Sequence, residues 1–132
     1  MQEITPVKKY VLRKQQTEVV YKIAYEKELN PAQLDAVKFD KGAVLVIAGA
    51  GSGKTKTLTY RVARLIESGV APENILLLTF TKKAADEMLN RAVMILDSRC
   101  EKVAGGTFHS FSNAILRKYS SYLDLKSNFT II

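Results

Sequence analysis

The stretch at residues 43–55, Ala-Val-Leu-Val-Ile-Ala-Gly-Ala-Gly-Ser-Gly-Lys-Thr, constrains the fold more than any other part of the chain. An apolar run of strand length gives way to glycines and small residues, then to Lys54 and Thr55, then to a helix-patterned segment. This is the P-loop arrangement, Gly-x-x-x-x-Gly-Lys-[Ser/Thr], with Ala48 in place of the first glycine. Holding a phosphate explains the residue types. Backbone N–H groups must curl around the anion, and side chains at Gly49, Gly51 or Gly53 would obstruct its approach. Lys54 can reach the outer phosphates as a point charge, and the Thr55 hydroxyl can ligate Mg²⁺. The positive end of the following helix faces the anion. A glycine-rich turn without a ligand is the plain alternative, and the order strand, loop, helix argues against it. The chain is therefore expected to bind a nucleoside triphosphate, or to come from one that does.

Before this loop, Leu29-Asn30-Pro31-Ala32-Gln33-Leu34 reads as a helix start, with Asn30 as N-cap, Pro31 at the first position and Gln33 completing a capping box. Leu34, Val37 and Phe39 give it an apolar face. Residues 1–28 are polar and basic, with an extended arm expected near Val11-Leu12 and a short helix from Thr17 through Val19, Val20, Ile23 and Ala24. They read as a dispensable extension ahead of a domain at 29–132. After the loop, Leu58, Val62, Leu65 and Ile66 repeat at helical spacing, with Gly69 as the stop. Residues 75–80 form a continuous apolar run, as in a buried parallel strand. A helix from Lys82 uses Ala85, Met88, Leu89, Ala92, Ile95 and Leu96. A short glycine-broken strand at 102–108 precedes a helix with Phe111, Ile115 and Tyr119 on one face, and 128–132 resembles the start of another strand.

The order β-α-β-α-β-α-β with short connections calls for an α/β fold on a parallel sheet. Loops 49–55, 79–83 and 107–110 then fall at the carboxyl ends of the strands, where such sheets bind ligands. The length of 132 residues is one domain's worth, and 47% apolar with 25% charged residues is ordinary for a globular protein. No apolar run approaches the roughly 20 residues that span a bilayer, and the polar N-terminus is unlike a secretory signal. With the single cysteine, Cys100, read as a loop or edge residue without chemistry, a cytoplasmic protein with no membrane partner is expected. The net charge of +7 suits a polyanion such as nucleic acid, although the basic residues are scattered.

Collectively, these motifs resemble the front end of superfamily 1 DNA helicases of the UvrD/Rep/PcrA type. Residues 29–33 resemble the family's Q motif, and 48–55 its motif I, leading alanine included. Thr79-Phe-Thr-Lys-Lys-Ala-Ala-Asp-Glu-Met88 resembles motif Ia, and Gly106-Thr-Phe-His-Ser-Phe111 motif Ib. The resemblance implies a parallel-sheet P-loop NTPase of the RecA-like, three-layer αβα kind. It implies that Gln33 reads the adenine edge. Ala48, Gly49, Ala50, Gly51, Ser52, Gly53, Lys54 and Thr55 would hold ATP and Mg²⁺, with Lys54 and Thr55 the catalytic groups, Thr55 the metal ligand and Lys56 beside the nucleotide. It implies a single-stranded DNA track over Phe80, Thr81 and Lys83, extended by Thr107, Phe108, His109 and Ser110, with 3′-to-5′ polarity. Stacking plus phosphate contacts is the usual chemistry of such tracks. Two positions depart from the family pattern: Lys82 replaces a common asparagine and Lys56 a common arginine. Taken one by one, Phe80, Phe108 and Phe111 also suit a core, and His109 suits an ordinary polar site.

Hydrolysis needs an acidic pair after an apolar strand and an arginine on the transferring phosphoryl group. Residues 93–97, Val-Met-Ile-Leu-Asp, imitate such a strand but continue the helical register from Ala85, and Asp86-Glu87 sit in that helix's first turn. The family's Asp-Glu motif, its later motifs and its second lobe do not occur. The expectation is an incomplete RecA-like domain, the ATP-binding N-terminal part of a helicase, inactive without the remainder of that chain. Two alternatives stay open: another P-loop ATPase or kinase using Asp97, and a non-catalytic nucleotide- or nucleic-acid-binding module.

Overall fold

The computed structural model describes residues 19–126 together with Phe129 and Thr130. Its centre is a pair of parallel strands, β1 (Leu76–Thr79) and β2 (Ala104–Thr107), in a register that sets Leu76 beside Ala104 and Thr79 beside Thr107. Two helices close over one face: α3 (Lys54–Glu67) and α4 (Lys82–Ile95). Val62, Ala63 and Ile66 of α3 meet Ile75 and Leu77, with Met88 and Ala92 of α4 and with Leu96, Cys100 and Val103 beyond it. The 3.6-residue spacing read from the sequence is the core-facing stripe of α4, whereas in α3 Val62 and Ile66 are buried but Leu58 is exposed. Gly105 has a packing reason: a Cβ there would stand 2.6 Å from Leu89 Cδ1, so α4 approaches β2 closely only over glycine. On the opposite face, α5 (Phe108–Lys118) lies beside Leu76 and Leu78, leaving a hollow of about 190 Å³ bordered by Phe111 and Ala114. The fold is α/β with a small parallel sheet, as the alternation of apolar runs implies.

A second cluster joins the short helix α1 (Tyr25–Glu28) and α2 (Pro31–Lys38) to α3 through Tyr25, Leu29, Val37 and Tyr60. The capping box of α2 forms as read. Asn30 Oδ1 accepts from the Gln33 N–H at 2.9 Å, and Gln33 Oε1 accepts from the Asn30 N–H at 3.2 Å. Val37 is buried whereas Phe39 is exposed. Gly69, with φ +93°, ends α3 as expected.

Several expectations are corrected. Residues 43–48 are not a strand: they have no ladder partner, and Leu45 and Ile47 are 85% and 90% exposed. A strand is completed by its neighbours' hydrogen bonds, and no described segment supplies them. The helix expected from Thr17 begins instead at Tyr25, and Val20 is exposed. Thr17 and the arm at Val11-Leu12 lie outside the described residues, as do Asn128, Ile131 and Ile132 of the expected last strand. Phe129 and Thr130 have no regular structure. Cys100 is not an edge residue but sits fully buried in a short 3₁₀ turn (Ser98–Lys102), where burial pushes its thiol pKa up. Asp86 and Glu87 lie past the first turn of α4. No residue of α5 is buried, so Phe111, Ile115 and Tyr119 stay partly exposed rather than forming a closed core.

Residues 21–28, read as an extension, are bound to the helices. The Lys22 N–H and the Tyr25 hydroxyl both donate to the Glu67 carboxylate, Lys22 Nζ donates to Leu96 O at 2.9 Å, and the Arg64 guanidinium covers the Tyr21 ring at 3.4 Å. Burial, then the bond to Glu67, raises the Tyr25 phenol well above its ordinary ionisation range. A phenol that stays protonated in the folded chain, while the unfolded chain ionises near pH 10, means the folded state binds more protons above that pH. Its contribution is complete below about pH 10 and declines above it. Tyr25→Phe should flatten that alkaline decline in unfolding midpoints measured from pH 9 to 11.

Candidate functional site

The phosphate-type loop is shaped by its own backbone. Ser52 N–H and Oγ both donate to Gly49 O, at 3.3 and 2.7 Å, closing a turn over Gly49, Ala50 and Gly51. Gly51 (φ +74°) and Gly53 (φ +86°) take the left-handed conformation that glycine alone adopts without strain. Gly53 is the N-cap of α3, so Lys54 and Thr55 open the helix with its unpaired N–H groups around them. Lys54 Nζ lies back on the loop and donates to Ala48 O at 3.0 Å and Gly49 O at 2.7 Å. Its charge is therefore already centred over the turn. Thr55 is exposed at the second helical position.

The glycines are unequal. A Cβ on Gly53 would lie 2.6 Å from Gln33 Nε2, whereas one on Gly49 meets nothing within 4 Å and Gly49 has no positive φ. Gly53→Ala should therefore destabilise the chain by about 1–2 kcal/mol, and Gly49→Ala by a few tenths at most, as read from urea midpoints.

Gln33 joins this loop from α2, donating from Nε2 to Ser52 O at 3.1 Å. Lys56 faces the other way. Its ammonium donates to Glu28 O at 2.5 Å and lies 5.5 Å from the centre of the Tyr60 ring, against α1 rather than over the loop. Neither contact was readable from the sequence, because each ends on a backbone carbonyl, which carries no residue signature. Glu28 also takes the Tyr60 hydroxyl at 3.0 Å, and burial, then this bond, raises the Tyr60 pKa.

A hollow of about 450 Å³ lies beside the turn at 49–53 and does not include it. It runs along α3 between Val44 and Val46 on one side and Leu76 and Leu77 on the other, with Lys54 and Arg61 as its charged lining. An apolar groove of this kind suits aliphatic side chains better than a triphosphate.

The other expected site residues gather at the ends of the two strands. The pairing of Thr79 with Thr107 brings loops 79–83 and 107–110 to one edge of the sheet. Phe80 stands 93% exposed there, which removes its core reading. Thr81 caps α4, its Oγ1 accepting from Ala84 N–H at 3.2 Å, and Lys83 is exposed in the first turn. Thr107 and Ser110 form a reciprocal capping box at the start of α5, while Phe108 and His109 project beside them, both exposed. Those capping hydroxyls have a structural duty, and the flanking Phe80, Phe108, His109 and Lys83 are the groups open to a ligand. Among the described residues loop 49–55 joins this sheet through α3, since 43–48 has no ladder partner there.

Among the described residues no group of three His, Cys, Asp or Glu side chains could hold a metal ion, and no helix is long and apolar enough to cross a membrane. A Mg²⁺ that arrives on phosphate oxygens and keeps several waters fits a site offering one hydroxyl, and Thr55 is placed for that. Asp97 does not supply a second ligand. It caps the 3₁₀ turn through Arg99 N–H and binds the Arg99 guanidinium at 2.9 and 3.0 Å, which holds its carboxyl below the usual range.

The chain matches known proteins over most of its length. Residues 29–132 match the model of the UvrD/REP helicase N-terminal domain. The ATP-dependent DNA helicase PcrA of Staphylococcus aureus (strain Mu50) is 45% identical over 105 residues, which are 79% of this chain and 14% of the relative. PcrA of Staphylococcus epidermidis (strain RP62A) is 44% identical over 110 residues, 83% of this chain and 15% of the relative. The chain thus spans about a seventh of the length of these curated relatives.

Proposed function

We propose that this chain, which belongs to the UvrD/REP helicase family, is the ATP-binding part of a motor that moves along single-stranded DNA in the cytoplasm. The observation that carries the reading is the loop at 49–55. Two left-handed glycines, a helix N-terminus and Lys54 held over the turn converge there, within the residues that match the family. ATP would enter with Mg²⁺, its phosphates on the loop amides and Lys54, and Thr55 would ligate the metal. DNA would track past Phe80, Lys83, Phe108 and His109 at the strand ends, with bases on the exposed rings and phosphates on the lysine. The 3′-to-5′ direction is part of the proposal by family likeness.

Hydrolysis would require carboxylates and an arginine from further sequence, and the unpaired residues 43–48 with the groove beside them support the same reading. A sheet continued by later strands of a longer chain would fill that groove and pair both free edges. By itself the chain should bind ATP–Mg²⁺ and turn it over negligibly. Calorimetry with ATP–Mg²⁺ and fluorescence anisotropy with a labelled oligo(dT) test both halves of the proposal. Phe80→Ala should weaken oligo(dT) binding about tenfold, the worth of one stacked base. Absence of ATP binding in the folded chain would overturn the nucleotide half and absence of oligo(dT) binding the strand half, while ATPase stimulated by single-stranded DNA in these 132 residues would overturn the expectation of negligible turnover.

A further inference from the structure

We infer that Gln33 is a positioning residue of the phosphate loop, fixing the Ser52 carbonyl and through it the Gly53 peptide that opens α3; this rests on the phosphate-loop reading above. Three observations on different elements meet at this one amide.

The α2 capping box holds the Gln33 side chain from behind, because Oε1 accepts from the Asn30 N–H at 3.2 Å. That leaves Nε2 pointing at the loop, where it donates to Ser52 O at 3.1 Å. The loop is cut to receive it: a Cβ at Gly53 would stand 2.6 Å from the same nitrogen, so Gln33 reaches the carbonyl only because residue 53 is glycine.

The consequence follows from peptide geometry. The bond between Ser52 and Gly53 is trans, so its C=O and N–H point in opposite directions. Anchoring the Ser52 oxygen on α2 turns the Gly53 N–H away from α2 and holds it there. Gly53 is the N-cap of α3, and its φ of +86° lies in a region from which a free glycine escapes easily. An anion site made of backbone amides depends on such peptides being fixed before the ligand arrives. Gln33 supplies that restraint, and its effect should reach every ligand that uses the loop, whether or not the ligand carries a base.

That independence separates loop positioning from base reading. Gln33→Met, of similar length and without charge, removes the donor, while the Asn30 Oδ1 bond to the residue-33 backbone N–H still caps α2. Gln33→Ala serves as a second variant, and circular dichroism with urea midpoints verifies the fold of each. Calorimetry on the full 132-residue chain would compare ATP–Mg²⁺ with inorganic tripolyphosphate–Mg²⁺, which has no base. The expected result is that both ligands weaken by the same factor, about tenfold, with a shift of the Gly53 amide resonance in the ligand-free variant. Loss of ATP binding with tripolyphosphate unchanged would overturn the inference in favour of base reading. So would unchanged binding of both. If the wild-type chain binds neither ligand, the phosphate-loop reading itself fails, which is a different result from either of these.

Discussion

Lys54→Ala is expected to weaken ATP–Mg²⁺ binding by about two orders of magnitude while the fold stands. A charge-assisted contact to a phosphate is worth about 1.5–3 kcal/mol, and each 1.4 kcal/mol is a factor of ten in affinity. In the ligand-free chain the ammonium also bridges Ala48 O and Gly49 O, so its loss loosens the turn that presents the amides. Both consequences act in the same direction on binding. Neither reaches the core, because Lys54 is exposed and the buried stripe of α3 begins at Thr57. Lys54→Arg should rescue poorly, since a planar fork does not substitute for a compact ammonium inside a tight loop. Calorimetry gives the affinities and a urea titration confirms the fold. Binding within threefold of the wild type would remove Lys54 from the phosphate site.

The second large effect lies away from the site. Tyr25→Ala should destabilise the chain by about 3–5 kcal/mol, the range for deleting a buried aromatic side chain, and lower the thermal midpoint by roughly 10–20 °C. Tyr25 is 1% exposed. Its ring meets Tyr21 and Tyr60 edge to face at 6.0 and 6.1 Å, and its hydroxyl donates to Glu67. Truncation leaves a cavity between α1, α2 and α3 and takes one partner from a carboxylate that, among the described residues, keeps the Lys22 N–H. A midpoint change under 3 °C would show that residues 21–28 are a detachable extension. The outcome also bears on nucleotide affinity, since the same layer carries α2 and with it Gln33.

Much of this was legible along the chain, for identifiable reasons. The α2 capping box is a local device in which a side chain and a backbone group three residues apart satisfy each other, so its spelling is its structure. The same holds for Gly69 at the end of α3 and for the helical stripe that excludes Asp97 from a strand end. Gly51 and Gly53 were readable because a left-handed backbone selects glycine. What failed was the reading of apolar runs as strands or cores without regard to partners. Among the described residues, 43–48 have the strand pattern and no ladder, and Phe111, Ile115 and Tyr119 have the helical stripe yet are only partly covered. Tyr25 failed in the opposite sense: a polar, basic neighbourhood concealed a residue that the fold buries completely.

By itself the sequence determined the helices α2 to α5, the capping box of α2 and the glycine stop of α3, because each depends on residues within one or two turns of one another. Only the tertiary structure decided what those groups face: that Gln33 reaches Ser52, that Lys56 turns to Glu28, that Thr79 and Thr107 bring two loops to one edge, and that Tyr25 seals the helices. These contacts join residues from 19 to 42 positions apart along the chain. Two of them, Gln33 to Ser52 and Lys56 to Glu28, end on backbone carbonyls. A carbonyl is common to every residue, so its direction in space exists only once the chain has folded.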